Sequence, residues 1–238
     1  MAPGGYRQRF GDALYGKKIR GGTFTWDIGT AGSTTMLALS MIPLALFADK
    51  PSSYEITGGV FQDFAPSIYH IKYVLLKLLN TMGIHAQIKI IRPGYVPKGN
   101  GLIQVTGFPV KKSIKQLIRS DRGKITGIKG ISLSSLLQKR NVSHRMAKQC
   151  QRRLNVTGYV PDIEIFYDNK NHPVYSRTSI QAGAALAIWA ETDTGCVMGS
   201  DMAGALGRPA EHIGKKVADH LIKVLETQAT VDKHVADQ

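Results

Sequence analysis

The sequence predicts a mixed fold, α+β or α/β, in two units. Three observations carry this. Residues 17–130 alternate short β patterns with apolar helical ones in the order βαβαββ. A second β-rich start at Lys124 opens another series of strands and helices. Apolar residues make up 43% of the 238 positions, enough for a packed core and too many for a disordered chain.

Residues 1–16 hold a proline, four glycines and no clear periodicity, and read as a lead-in. Thr23 to Ile28 is a strand pattern that runs into Gly29-Thr30-Ala31-Gly32-Ser33, with Ser33 or Thr34 placed to cap a helix over 33–47. Tyr54 to Thr57 is a short strand ended by Gly58-Gly59. Ala65 to Met82 spaces Ile68, Ile71, Val74, Leu75, Leu78 and Leu79 on one helical face, and Gly83 stops it. His85 to Arg92 alternates as a strand, Pro93 to Gly101 is a turn, and Leu102 to Gly107 is the partner strand. In the second unit, Lys124 to Ser134 is β-rich and Ser143 to Leu154 is a helix capped by Ser143. Asp162 to Tyr167, Ala184 to Thr192 and Cys196 to Ser200 are strands. The connection 168–183 reads as a polar, mobile loop. Arg208 to Thr227 is a long helix with Pro209 in its first turn. The units divide as 17–130 and 131–228, and 229–238 return to the first.

Charge narrows the partners. The formal net charge is +14, with fifteen Lys/Arg against five Asp/Glu in residues 1–120 and sixteen against twelve thereafter. Such an excess suits a polyanion, nucleic acid first, or else a solvated charged surface. Met36 to Ala48 is too short to span a bilayer and no signal pattern opens the chain. Cys150 and Cys196 lack close spacing, which points to a reducing, cytoplasmic compartment (nuclear in a eukaryote) rather than a disulfide or zinc scaffold.

The strand-turn-helix at Gly29 to Ser33 would expose amides at the positive end of a helix, where a phosphate is stabilised; a plain tight turn needs the same glycines. Lys139, Arg140, Arg145, Lys148, Arg152 and Arg153 fall together without an acid, suited to an RNA backbone or to water. Arg92, Lys98, Lys111, Lys112 and Lys115 sit around strand ends as candidate phosphate contacts. His70, His144, His212 and His220 lie on helical patterns and read as surface or structural. No metal-site spacing, no Walker loop and no Gly-x-Gly-x-x-Gly occurs.

Taken together, several short stretches resemble the RNA 3′-terminal phosphate cyclase family. They are Lys18-Ile19-Arg20-Gly21-Gly22, Gly29-Thr30-Ala31-Gly32-Ser33, Leu44-Ala45-Leu46-Phe47-Ala48, and Gly58-Gly59 followed by Ala65-Pro66. Arg92-Pro93-Gly94-Tyr95-Val96-Pro97-Lys98-Gly99, Arg122-Gly123, Pro209-Ala210-Glu211 and His234-Val235-Ala236-Asp237-Gln238 follow in the family's order. The resemblance covers 17–238. It implies repeated sheet-plus-two-helix units with a smaller inserted α/β domain. It also implies an ATP-dependent ligase activity, with a divalent metal (Mg or Mn), that turns an RNA 3′-phosphate into a 2′,3′-cyclic phosphate. A histidine takes AMP from ATP, AMP passes to the RNA 3′-phosphate, and the 2′-hydroxyl displaces it. Pro66 and His234 match the positions that sandwich adenine, and Val235, Ala236, Asp237 and Gln238 continue that nucleotide motif. Arg92, Lys98, Arg145 and Arg152 are the expected RNA contacts.

Departures qualify the likeness. Leu39 stands where the family has a phosphate-facing glutamine. Gly99-Asn100-Gly101-Leu102 replaces Gly-Gly-Gly-Glu, Gly58-Gly59-Val60 replaces Gly-Gly-Thr, and Ser67-Ile68-Tyr69-His70 replaces Pro-x-Asp-Tyr. The family's N-terminal unit would precede residue 17, and its AMP-accepting histidine would lie beyond Gln238. The expectation is therefore a central piece of a cyclase, inactive by itself, with no catalytic residue of its own. The alternative is a non-catalytic, cyclase-like RNA- or protein-binding module of ribosome assembly.

Overall fold

The computed structural model describes residues 18–30 and 32–237, so the lead-in 1–16, Ala31 and Gln238 lie outside the described residues. The first sheet is built as expected from the alternation. β1 (Thr23–Asp27), α1 (Thr34–Leu46) and β2 (Ser52–Gly58) form a βαβ unit whose strands are parallel. Next comes α2, a continuous helix of Ile68–His70 and Leu76–Thr81 joined through a π-helical stretch, Ile71–Leu75. It begins at Ser67, whose hydroxyl accepts the His70 N–H at 3.2 Å, and not at Ala65. β3 (Ala86–Arg92) and β4 (Gly101–Gly107) pair antiparallel, and β4 inserts beside β2 to give the order β1-β2-β4-β3.

The second sheet repeats the theme. β5 (Ile125–Ser135), α3 (Val142–Asn155) and β6 (Pro161–Asp168) make another parallel βαβ pair. β7 (Gly183–Thr192) and β8 (Val197–Ala203) add antiparallel strands on the other side, giving β6-β5-β7-β8. α4 (Ala210–Glu226) and the single turn α5 (Lys233–Ala236) complete the chain. Two four-stranded sheets, each with two main helices, match the fold class read from the sequence. β5 runs unbroken across residue 130, the border drawn between the two units.

Both faces of the second sheet are buried. Ile131, Leu133, Ala185, Ala187 and Trp189 join one core with α1, α2 and the first sheet, where Trp189 stacks on Tyr73 at 4.3 Å between ring centres. Ile128, Leu186, Ile188 and Ala190 pack on the opposite side against α3 and α4. A strand covered on both faces reads as an unbroken apolar run, as Ala184 to Ala190 does.

Two local expectations are corrected. Ser143 does not cap α3; that position falls to Asn141, in a left-handed conformation (φ 50°) and without a side-chain cap bond. Ser143 is the second residue of the helix and buried, its Oγ 2.7 Å from both Ser134 Oγ and the Phe166 carbonyl, so its hydroxyl ties helix to sheet instead. The polar connection after β6 is pinned, not loose. The buried Asp168 carboxylate accepts from Ser135 Oγ (2.8 Å), Ser179 N (3.0 Å) and Val174 N (3.2 Å), and Gln181 donates to the Tyr95 carbonyl. Polar side chains here serve inward hydrogen bonds rather than solvent.

Candidate functional site

The site is organised by Asp232. Its Oδ1 accepts the His234 and Val235 amides at 2.9 and 3.1 Å, which caps α5. Its Oδ2 accepts the Gly199 amide at 2.6 Å and faces His70 Nε2 at 2.9 Å. Both side chains of the His70–Asp232 pair are almost wholly buried. One carboxylate thus clamps the start of α2, the middle of β8 and the turn that carries His234. Gly199 cannot be larger, because a Cβ there would meet His70 Cδ2 at 2.8 Å. Burial pushes the Asp232 carboxyl up, but His70 and the two amides outweigh it and hold the group below its ordinary value.

His234 stands over this clamp, its ring edge-on to His70 with centres 5.2 Å apart. Burial, with His70 and Lys233 nearby, lowers its pKa against the pull of Asp201 and Asp232, so the ring is neutral at neutral pH. Asp201 on β8 points into the same place. Burial raises its carboxyl above the ordinary value, opposed by His70, His234 and Ser67, and its Oδ2 is buried without a hydrogen-bond partner.

A cavity of about 620 Å³ opens beside these groups, within the size range of small-molecule sites. Pro66, His234 and Asp237 line it, with Met36, Phe64, Asp201, His220 and Lys223. Its loop wall is fixed by Arg208, which grips Asp63 through both terminal nitrogens at 3.0 and 2.8 Å. That hydrogen bonding, against a smaller burial effect, lowers the Asp63 carboxyl.

The other sequence-predicted residues fall elsewhere. Val235 packs on the core and Ala236 is exposed on α5. At the Gly29 to Ser33 turn, the Gly29 amide bonds Asp27 Oδ1 (2.9 Å), Thr34 N–H goes to the Gly59 carbonyl (2.9 Å), and Met36 N–H goes to Ser33 Oγ (3.3 Å). These amides already have protein partners. Gly32 is required because a Cβ would lie 2.6 Å from the Ile28 carbonyl oxygen. Thr30 is exposed at the tip, and Met36, one turn into α1, is this helix's contact with the cavity. Leu39 packs against the core. Arg92 Nε donates to the Asn100 carbonyl at 2.5 Å, while Lys98 is exposed with its amide held by Gln181 at 3.0 Å. Arg145 is engaged bidentately by Glu211 at 2.7 and 2.8 Å, and Arg152 is exposed on α3. None of these four basic residues lines the cavity.

Sequence reasoning missed Asp232, Asp201 and the Asp63–Arg208 grip. Asp232 was readable as an N-cap two residues before His234, and Asp201 as a carboxylate inside an apolar strand. Among the described residues no three of His, Cys, Asp and Glu converge to hold a metal ion, and no helix is long and apolar enough to cross a membrane. The implied divalent ion therefore finds no ready cage in the described residues.

The architecture defines a mixed α/β protein of repeated sheet-plus-two-helix units, with a cavity where the first unit meets the C-terminal segment. The chain belongs to the RNA 3′-terminal phosphate cyclase family, whose pattern matches residues 13–238. It is 36% identical over 221 residues to the RNA 3′-terminal phosphate cyclase of Pyrobaculum aerophilum, covering 93% of this chain and 61% of that protein. The cyclase of Pyrococcus furiosus is 35% identical over 224 residues, with the same coverage, and that of Desulfurococcus amylolyticus 32% over 218 residues, covering 92% and 60%. The chain thus spans about three fifths of the length of these curated relatives.

Proposed function

We propose that the chain carries the adenine-nucleotide pocket of an ATP-dependent ligase that converts an RNA 3′-phosphate to a 2′,3′-cyclic phosphate. One observation carries the reading: Pro66, from the loop before α2, and His234 and Asp237, from the distant C-terminal turn, line a single cavity. The neutral His234 imidazole and the Pro66 ring offer flat, uncharged faces to a purine, and Asp237 supplies a polar contact at its edge. Asp232 and His70 fix the turn that holds His234, so the stacking surface is set before the nucleotide arrives.

The chemistry needs such a pocket because a phosphate monoester is a poor electrophile. Transfer of AMP from a histidine to the RNA 3′-phosphate makes a phosphoanhydride. The 2′-oxygen then attacks the 3′-phosphorus, losing its proton as AMP departs, and the ring closes. The resemblance implies that the histidine taking AMP is a different residue from His234, whose part is stacking. Lys98 and Arg152 are exposed for RNA phosphates, whereas Arg92 and Arg145 would first give up the Asn100 and Glu211 contacts.

Calorimetric titration with ATP tests the reading. The parent chain binds, and His234→Ala or Pro66→Ala weakens binding roughly five- to hundredfold, the cost of a lost stacking face. The second reading, a non-catalytic binding module, draws on Leu39 packed against the core and on the Gly29 amide already bonded to Asp27. Absence of any ATP binding by the parent chain selects it.

A further inference from the structure

The cavity rim carries features that a mononucleotide does not require. Phe64 is 106% exposed, and its backbone is left-handed (φ 65°), a strained state for an aromatic residue. It adds nothing to the core, yet the loop holding it is rigid. Arg208 clamps the adjacent Asp63 and also donates to the Ala203 carbonyl at 2.6 Å. Strain kept on a fixed loop, with the ring held out over a cavity, is the arrangement of a stacking platform.

The rim is also basic. His220 and Lys223 of α4 and Lys233 of α5 line the cavity, and Lys216 precedes His220 by one helical turn. Burial first, then the charges of Lys233, Lys216 and Lys223, lower the His220 pKa against Asp219, so the cations are close together. Among the described residues none of the three lysines pairs with a carboxylate. The acids nearby are otherwise occupied: Asp219 by Arg153 at 2.5 Å, Asp63 by Arg208 and Asp232 by His70, while Asp201 is driven toward its neutral form. Of the carboxylates lining the cavity, Asp237 remains, on the adenine side. Lys216 and Lys223 lie about 10 Å apart along the helix axis, a longer reach than one phosphate group needs.

We propose that Phe64 and the lysines Lys216, Lys223 and Lys233 form the track that delivers single-stranded RNA to the cavity, the ring stacking on a base near the 3′ end and the lysines holding its phosphates. The proposal rests on the cavity being the cyclase nucleotide site, and it adds the cations of α4 and α5 to the exposed Lys98 and Arg152 as RNA contacts. An exposed aromatic platform on the same cavity as unpaired cations suits single strands, whose bases have free faces.

The test is fluorescence anisotropy of a 5′-labelled, 3′-phosphorylated octaribonucleotide over a range of salt, beside ATP titrations of the same proteins. All four side chains are exposed or at the rim, so truncation leaves the core intact. Phe64→Ala is expected to weaken RNA binding at least fivefold with an unchanged salt slope. Lys216→Ala/Lys223→Ala is expected to weaken it and make the slope shallower by about 1.4, two phosphates at ~0.7 each. ATP affinity is expected to fall by a smaller factor than RNA affinity in either, since Phe64 and Lys223 also border the cavity. RNA affinity within twofold of the parent in both variants overturns the track. So does an ATP loss as large as the RNA loss, which would put these lysines on the triphosphate. A parent chain that binds RNA through these residues but not ATP keeps the track and removes the nucleotide reading; one that binds ATP but not RNA removes the track alone.

Discussion

Asp232 and Asp201 lie in the same site and are held in opposite ways. Asp232 has four partners, and its depressed pKa means that its stabilisation is present above the unfolded value and is lost as pH falls through the folded one. Asp201 has a buried oxygen with no partner and a raised pKa. Its sign is reversed: the folded state favours the protonated acid, so its contribution is fully present below the unfolded value of about 3.8 and is lost as pH rises through the folded one. At neutral pH the buried charge is a cost. Asp201→Asn should therefore raise stability at pH 7 by on the order of 1 kcal/mol, a few degrees in the melting temperature of a chain this size. The gain should shrink as pH approaches 4. Thermal melts of both proteins between pH 4 and 8 check it, and an Asn variant that melts lower at pH 7 would assign Asp201 a stabilising role instead.

At the scale of elements, periodicity was a good guide wherever one face of a segment is buried. β3, β4 and α1 lie within a residue or two of their expected bounds, because alternation and helical spacing are set by a single covered face. Polar residues were harder to read. Ser143 sits at a cap-like place in the sequence but its hydroxyl finds Ser134 and Phe166, partners that exist only once α3 lies on β5 and β6. The Pro66, His234 and Asp237 set came from the family motif and not from spacing, since nothing local links the loop before α2 to α5. The α3–α4 seam shows a related case. Gly214 reads as a mild fault inside a helix, yet a Cβ there would collide with the Met146 carbonyl oxygen and press on Cys150 N at 3.0 Å. The two helices also carry the Arg145–Glu211 and Arg153–Asp219 pairs across that seam. Gly214→Ala should cost about 1–3 kcal/mol despite alanine's better helix propensity, because the helices must separate. Urea titration reads the loss; an unchanged or higher midpoint would show that the seam can open without penalty.

Over the whole molecule, the sequence reads as two successive units, while the structure joins them through one core. The apolar run of β7 signals burial on both faces, but a one-dimensional pattern cannot say that α2 covers one face and α3 with α4 the other. Tyr73 on Trp189, Tyr69 with Tyr175, and Tyr95 with Ser135 at 2.9 Å all cross from the first unit to the second. The His70–Asp232 pair adds a buried link from α2 to the C-terminal turn. Units that share this much covered surface should unfold together. The two tryptophans provide the measurement, since Trp26 stacks on Phe24 and Tyr54 in the first sheet and Trp189 belongs to the second. Urea unfolding followed through Trp26 in a Trp189→Phe variant should coincide, after correction for each variant's stability by circular dichroism, with that followed through Trp189 in Trp26→Phe. Separate midpoints for the fluorescence and the dichroism within one variant would mean that the first sheet and the second melt independently. In that event the cavity, which takes its walls from both, would be lost at the lower of the two transitions.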